Sequence, residues 1–276
     1  DLLLLDGEDY GSWSFKFRAG DEVAKFEELK ATALGIQVLT GAQAQWRFKD
    51  GQHTSGFKGD ILIDDLADAL EKFGFASSVE GEGLKIKADI NWAGSPAMID
   101  VDDISGRVKI QEGKGRFVQA ETGGALKLLG IFDFASLARR FRLDFSDVLE
   151  KGFEFSDISG VTTFNNGSID VTEPIVIESP GGTFKVAGTV NLETRALDND
   201  MIVTLPVGRT LPWYAAYSAI ATGPLAGASV LLAQKVFENQ IDQMSSAKYK
   251  ISGTIEEPDI EFVSIFNDKV REAATR

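Results

Sequence analysis

The sequence predicts a mainly β chain with added α-helix, an α+β protein built on antiparallel strands with helices gathered towards its C-terminal end. Three observations predict it. Apolar and polar residues alternate with period two in many short stretches, turn-forming residues separate those stretches, and three segments replace the alternation with helical spacing.

The strands follow in order. Trp13, Phe15 and Phe17 are spaced two apart, as are Ala44, Trp46 and Phe48. The fullest alternation is Leu84, Ile86, Ala88, Ile90 and Trp92, interleaved with Lys85, Lys87, Asp89 and Asn91. Shorter pairs stand at Ile169 and Val171 and at Ile175 and Ile177. Phe184, Val186, Gly188, Val190 and Leu192 repeat the long pattern, and Met201, Val203 and Leu205 close it. Each such strand has one apolar and one polar face, as antiparallel strands wetted on one side do. Turn residues lie at Lys49-Asp50-Gly51, Glu112-Gly113, Asn165-Asn166-Gly167, Ser179-Pro180-Gly181-Gly182 and Leu197-Asp198-Asn199-Asp200. Asn166-Gly167 suits a two-residue hairpin, because both residues accept positive φ. Hairpin after hairpin makes a meander.

Helical spacing covers residues 64–73, opened by Asp64. It returns in pieces over 124–149, through Leu126, Leu129, Phe132, Phe134, Leu137, Phe141 and Leu143, and again over 211–244. A boundary falls near Thr122, dividing a β segment, 1–122, from a module with helical segments, 123–276.

Composition excludes several functions. Hydrophobic residues make up 43% and charged residues 25% of 276, which suits a globular chain able to enclose a core or an apolar cavity. A net charge of −14 argues against nucleic acid and against adsorption to an anionic membrane by charge alone. With no cysteine, disulfides, thiolate nucleophiles and thiolate metal sites are excluded. Residues 2–5 are too few for a signal-peptide core, and the chain reads as a fragment of a longer one.

Residues 211–234 carry no charge, a length that would permit a membrane-spanning helix. Gly223-Pro224 interrupts it. Three readings stand: a helical hairpin packed on the sheet; a helical pair that meets a bilayer through Trp213, Tyr214, Tyr217, Ile220, Leu225, Val230 and Leu231; and a true span, which Thr210, Ser218, Thr222 and Ser229 disfavour.

Enzyme signatures are missing: there is no nucleophile elbow, phosphate loop or dinucleotide fingerprint. The single histidine, His53, is placed in a polar loop at 51–56 and given no catalytic role. The acidic groups Asp100, Asp102, Asp103 and Asp198, Asp200 lack calcium-loop spacing and are read as turns. Arg139, Arg140 and Arg142 form the one basic cluster, read as a solvated helix face. No catalytic residue, metal site or cofactor is assigned.

A succession of short motifs carries a resemblance. Residues 90–96 read INWAGSP, 103–118 DISGRVKIQEGKGRFV, 124–145 GALKLLGIFDFASLARRFRLDF and 151–160 KGFEFSDISG; 224–234 read PLAGASVLLAQ and 249–258 YKISGTIEEP. In this order they resemble the C-terminal region of the YhdP proteins of the AsmA-like family, over about residues 84–263. The resemblance implies a periplasmic protein, held in the inner membrane by a helix outside this fragment. Its long β-sheet would curve into a groove carrying phospholipid towards the outer membrane. The lining would be the apolar positions Leu84, Ile86, Ile90, Trp92, Phe184, Val186, Val190, Leu192, Met201, Val203 and Leu205. The implied partners are phospholipid as cargo, the outer membrane at the C-terminal end, and other envelope proteins. Read from the residues alone, the same faces also suit a closed β-sandwich, and two other functions stay open: an envelope scaffold binding proteins, and a glycosidase using paired carboxylates.

Overall fold

The structure, a computed structural model, describes residues 2–5, 8–72, 77, 79–81, 83–96, 99–118, 153–180, 182–204, 246–255 and 257–266. Its strands are β1 (Leu2–Leu5), β2 (Glu8–Ala19), β3 (Val23–Ala33), β4 (Ile36–Lys49), β5 (Gln52–Ile63), β6 (Val79–Gly81), β7 (Leu84–Ala93) and β8 (Ser105–Glu112). After these come β9 (Gly115–Phe117), β10 (Phe153–Phe155), β11 (Asp157–Asn165), β12 (Ser168–Ser179), β13 (Gly182–Asn191), β14 (Leu197–Thr204), β15 (Ser246–Gly253) and β16 (Pro258–Phe266). One α-helix, α1 (Leu66–Lys72), lies between β5 and β6.

Thirteen strands form one antiparallel sheet in the order β1-β2-β3-β4-β5-β7-β8-β11-β12-β13-β14-β15-β16, and β10-β9-β6 form a second, three-stranded sheet. The meander expected from the turn residues is therefore present. Asp50-Gly51 and Asn166-Gly167 make two-residue hairpins with both residues at positive φ, the geometry that matches strand twist. Leu34-Gly35 adopts the same conformation, with φ of 51° and 81°. Leucine has no preference for it, so that turn left no local signature.

Two features of the fold class are corrected. Strands occupy 76% of the described residues and the one described α-helix is in the N-terminal third, so the chain is mainly β rather than α+β with helices near its C-terminal end. The stretches at 124–149 and 211–244 lie outside the described residues, as do the boundary at Thr122 and Arg139, Arg140 and Arg142. The described elements on either side of them are strands, because period-two alternation dominates there. The second correction concerns Leu197-Asp198-Asn199-Asp200, which is the start of β14 and not a turn. Its aspartates alternate outward and meet lysines of β15: Lys248 reaches Asp200 at 2.8 Å, and Lys250 pairs with Asp198. The turn lies just before, where Arg195 takes φ of 58°.

Register shifts interrupt β1–β2, β2–β3, β3–β4, β4–β5, β11–β12, β12–β13 and β15–β16, while β5–β7–β8–β11 and β13–β14–β15 run unbroken. Such bulges bend a strand and raise its twist. In an antiparallel meander alternate connections share an end of the sheet. The links after β5, β8 and β14, the longest in the chain, thus all leave from one end.

Candidate functional site: one apolar face across the sheet

Partners in an antiparallel ladder point to the same side, so register carries a face from strand to strand. Ile86 of β7 stands between Ile61 of β5 and Ile110 of β8, and Ile90 between Phe57 and Gly106. Further along, Val186 of β13 stands between Ile175 and Met201, Met201 opposite Tyr249, and Tyr249 opposite Phe262. Towards the other edge, Phe57 pairs with Ala44, Ala44 with Phe26, and Phe26 with Phe17. One apolar face thus runs from β2 to β16. The opposite face is charged, with Lys58 to Asp89 at 2.6 Å and Arg107 to Glu173 at 2.5 Å among its exposed ion pairs.

This face has relief. Ala42, Gly59 and Ala88 succeed one another across β4, β5 and β7. They are flanked along the strands by Phe57 and Ile90 on one side and Ile61 and Ile86 on the other. A β-carbon on Gly59 would lie 2.5 Å from that of Ala42 and 3.0 Å from the Phe57 ring, so the ring leans over this low strip.

The face is covered unevenly. Near β2 and β4, Phe15, Phe17 and Phe48 are exposed, at 46%, 56% and 51%. From β5 to β8, Phe57, Ile61, Ile86, Ile90 and Ile110 are half-buried. On β12 to β15, Ile177, Val186, Met201, Val203, Ala247, Tyr249 and Ile251 are buried. There the three-stranded sheet forms a second layer. Val79, Phe117, Phe153 and Phe155 belong to the same packed cluster as Ile177 and Phe184, with Leu66 of α1 against it.

The predicted lining residues divide accordingly. Leu84, Ile86, Ile90, Trp92, Phe184, Val186, Val190, Met201 and Val203 share the one face, and Leu192 continues its parity just past β13. Leu84, Ile86, Ile90 and Phe184 are half-buried; Trp92, Val186, Val190, Leu192, Met201 and Val203 are buried. Leu205 and all the residues assigned to membrane contact, Trp213, Tyr214, Tyr217, Ile220, Leu225, Val230 and Leu231, lie outside the described residues. Phe57, Ile61, Val108 and Ile110 were missed, although Val108 and Ile110 flank Lys109 in plain alternation.

Glu112 was also missed as anything but a turn residue. It ends β8 on the apolar face, paired with Ile158, and is 2% exposed. Neither carboxyl oxygen has a hydrogen-bond partner of good geometry among the described residues. Burial pushes its pKa from the usual 4.5 up to about 7, against a smaller pull from the Gly113 backbone N–H.

His53 is corrected from loop to strand: it lies in β5, where its Nδ1 accepts a hydrogen bond of 3.0 Å from Trp46 Nε1 and its ring stacks on Trp46. Asp100 and Asp102 stand at the turn expected of them, with the Asp100 carboxylate accepting from the Asp102 N–H at 3.1 Å. Among the described residues no group of acidic or histidine side chains could hold a metal, and no helix is long and apolar enough to cross a membrane.

Comparison with known proteins agrees with these features. The family model described as YhdP protein matches residues 1–260. The intermembrane phospholipid transporter YhdP of Escherichia coli (strain K12) is 28% identical over 226 residues, covering 82% of this chain. The chain spans 18% of that relative's length. No solved structure matches. A family match over nearly the whole chain, on a sheet whose register builds one continuous apolar face, leads to one conclusion: the chain belongs to the YhdP family.

Proposed function

We propose that this chain is a lipid-carrying section of a longer intermembrane phospholipid transporter, and that phospholipid tails travel on its apolar face. The observation that supports it best is the apolar face that the register carries from β2 to β16, with Phe57, Ile61, Ile86, Ile90 and Ile110 only half-buried on β5 to β8. Each acyl methylene kept from water is worth about 0.8 kcal/mol. Shielding two tails while leaving the head in water removes most of the barrier to crossing an aqueous space. A sheet of this width twists, and its bulges add to the twist. A twisted sheet with one apolar side curls around that side into a groove. The low strip at Ala42, Gly59 and Ala88 runs across the strands, the direction a lipid takes along such a groove. The half-buried lining residues Leu84, Ile86 and Ile90 meet the tails; Phe184, Val186, Met201 and Val203 hold the second layer in place.

On this reading the chain performs no chemical step and needs no cofactor. The whole protein works in the periplasm, anchored in the inner membrane, with this section towards the outer membrane. The name of the Escherichia coli relative, an intermembrane phospholipid transporter, supports work between two membranes.

Site-specific photocrosslinking in cells tests it. A photoreactive side chain at Ile61 or Ile86 is expected to capture phospholipid, whereas one at Asp60 or Lys87 on the charged face captures none. Equal capture from both faces, or none from the apolar one, would remove the proposal.

A further inference from the structure

The apolar face changes character at Glu112. Before it, on β5, β7 and β8, Phe57, Ile61, Ile86, Ile90 and Ile110 are half-buried beside the buried Ile63, Ala88 and Trp92; beyond it, from Ile177 onward, most apolar side chains are buried, with a second layer over them. Gly81 of β6 lies directly against the carboxyl group, so that a β-carbon there would stand 3.0 Å from Cδ and 3.1 and 3.3 Å from the two oxygens. The sheet to which Gly81 belongs is only three residues deep in each strand. Its inner face carries Val79, Phe117, Phe153 and Phe155, packed in one cluster with Ile177 and Phe184. Its outer face carries Glu80, Arg116 and Glu154, with Arg116 bound to Glu80 at 2.6 Å. So short a sheet has little hydrogen-bonded ladder of its own, and its seating depends on apolar contact with the large sheet.

We propose that this three-stranded sheet is a displaceable cover on the apolar face, seated while Glu112 is protonated and loosened when Glu112 ionises. A neutral carboxyl is tolerated in such surroundings, but an unpaired carboxylate is costly there, and lifting the cover returns it to water. Among the described residues the neighbouring elements bring no countercharge to it. Lys85 of β7, Asp157 of β11 and Glu178 of β12 occupy the opposite face of the large sheet. Glu80, Arg116 and Glu154 are on the cover's outer side, and Lys114 in the turn is exposed. On α1, Lys72 pairs with Asp68 at 2.6 Å, Glu71 accepts from Ser77, and Asp65 accepts from the Asp68 N–H.

The pH dependence follows from a carboxyl whose pKa is higher when covered, about 7, than when free, 4.5. Seating is strongest below the free value, weakens as pH rises towards 7, and is level above that. The meaning of such a cover as a gate for lipid rests on the carrier reading; its pH-dependent seating does not.

Hydrogen exchange on the whole chain without added lipid, at pH 5 and pH 8 and corrected for intrinsic rates, tests the proposal. Amides of residues 79–81, 115–117 and 153–155 are expected to lose protection on the order of 50-fold between the two pH values. Those of β13 and β14 stay as they were, and Glu112→Gln abolishes the pH dependence. Protection of the small sheet that is the same at both pH values in the unaltered chain, or an equal loss in Glu112→Gln, would overturn it. Absence of lipid from the crosslinking experiment would defeat the carrier reading and leave this result standing.

Discussion

Phe153 of the small sheet stands edge-on to Phe184 of β13, with ring centroids 5.3 Å apart and planes at 87°. The contact joins the two layers, and the rings meet in the geometry their quadrupoles favour. Phe184 is paired across the ladder with Ile177 and Val203, so the aromatic contact rests directly on the buried part of the large sheet.

Phe153→Leu keeps an apolar side chain but removes this ring pair. It is expected to weaken the seating of the small sheet by about 1 kcal/mol. The measurement is hydrogen exchange at residues 153–155, with β14 amides as the internal reference; unchanged protection of residues 153–155 would show that the ring pair does not hold the layer.

Gly81→Ala places a methyl group against the Glu112 carboxyl. Overpacking of this kind costs on the order of 1 kcal/mol or more. Shortening the opposing side chain in Glu112→Ala should make room, so the double variant should be less destabilised than the sum of the two single ones. A double-mutant cycle by urea unfolding measures that coupling. Additive effects would mean the two residues do not press on each other.

The two halves of the apolar face should respond differently to truncation. Ile177 is fully buried, so Ile177→Ala is expected to cost about 2–5 kcal/mol. Ile86 is half-buried, and Ile86→Ala should cost distinctly less, roughly 1 kcal/mol, because it leaves no sealed cavity. Urea midpoints of the two variants compare them directly.

Much of the face was legible from residue spacing. β7 and β13 follow the alternation of their sequence, and the turn at Asn166-Gly167 has the conformation its two residues favour. Failures occurred where local chemistry and tertiary context disagree. Asp198 and Asp200 have turn composition, but two lysines of β15 make them good strand residues. His53 has polar neighbours in sequence and aromatic ones in space. Strands three residues long, such as β6 and β10, are too short to show a period.

By itself the sequence determined that the chain is built from amphipathic antiparallel strands joined by hairpins, because side-chain direction in a strand is a local property that alternates at every residue. Only the tertiary structure decided which parts of the apolar face are overlaid and which stand open, since an isoleucine carries the same spacing whether it meets protein or solvent. It also decided the state of Glu112. Nothing in its neighbours along the chain marks that carboxyl, and its raised pKa comes from burial among elements that the fold brings together, Gly81 of β6 among them.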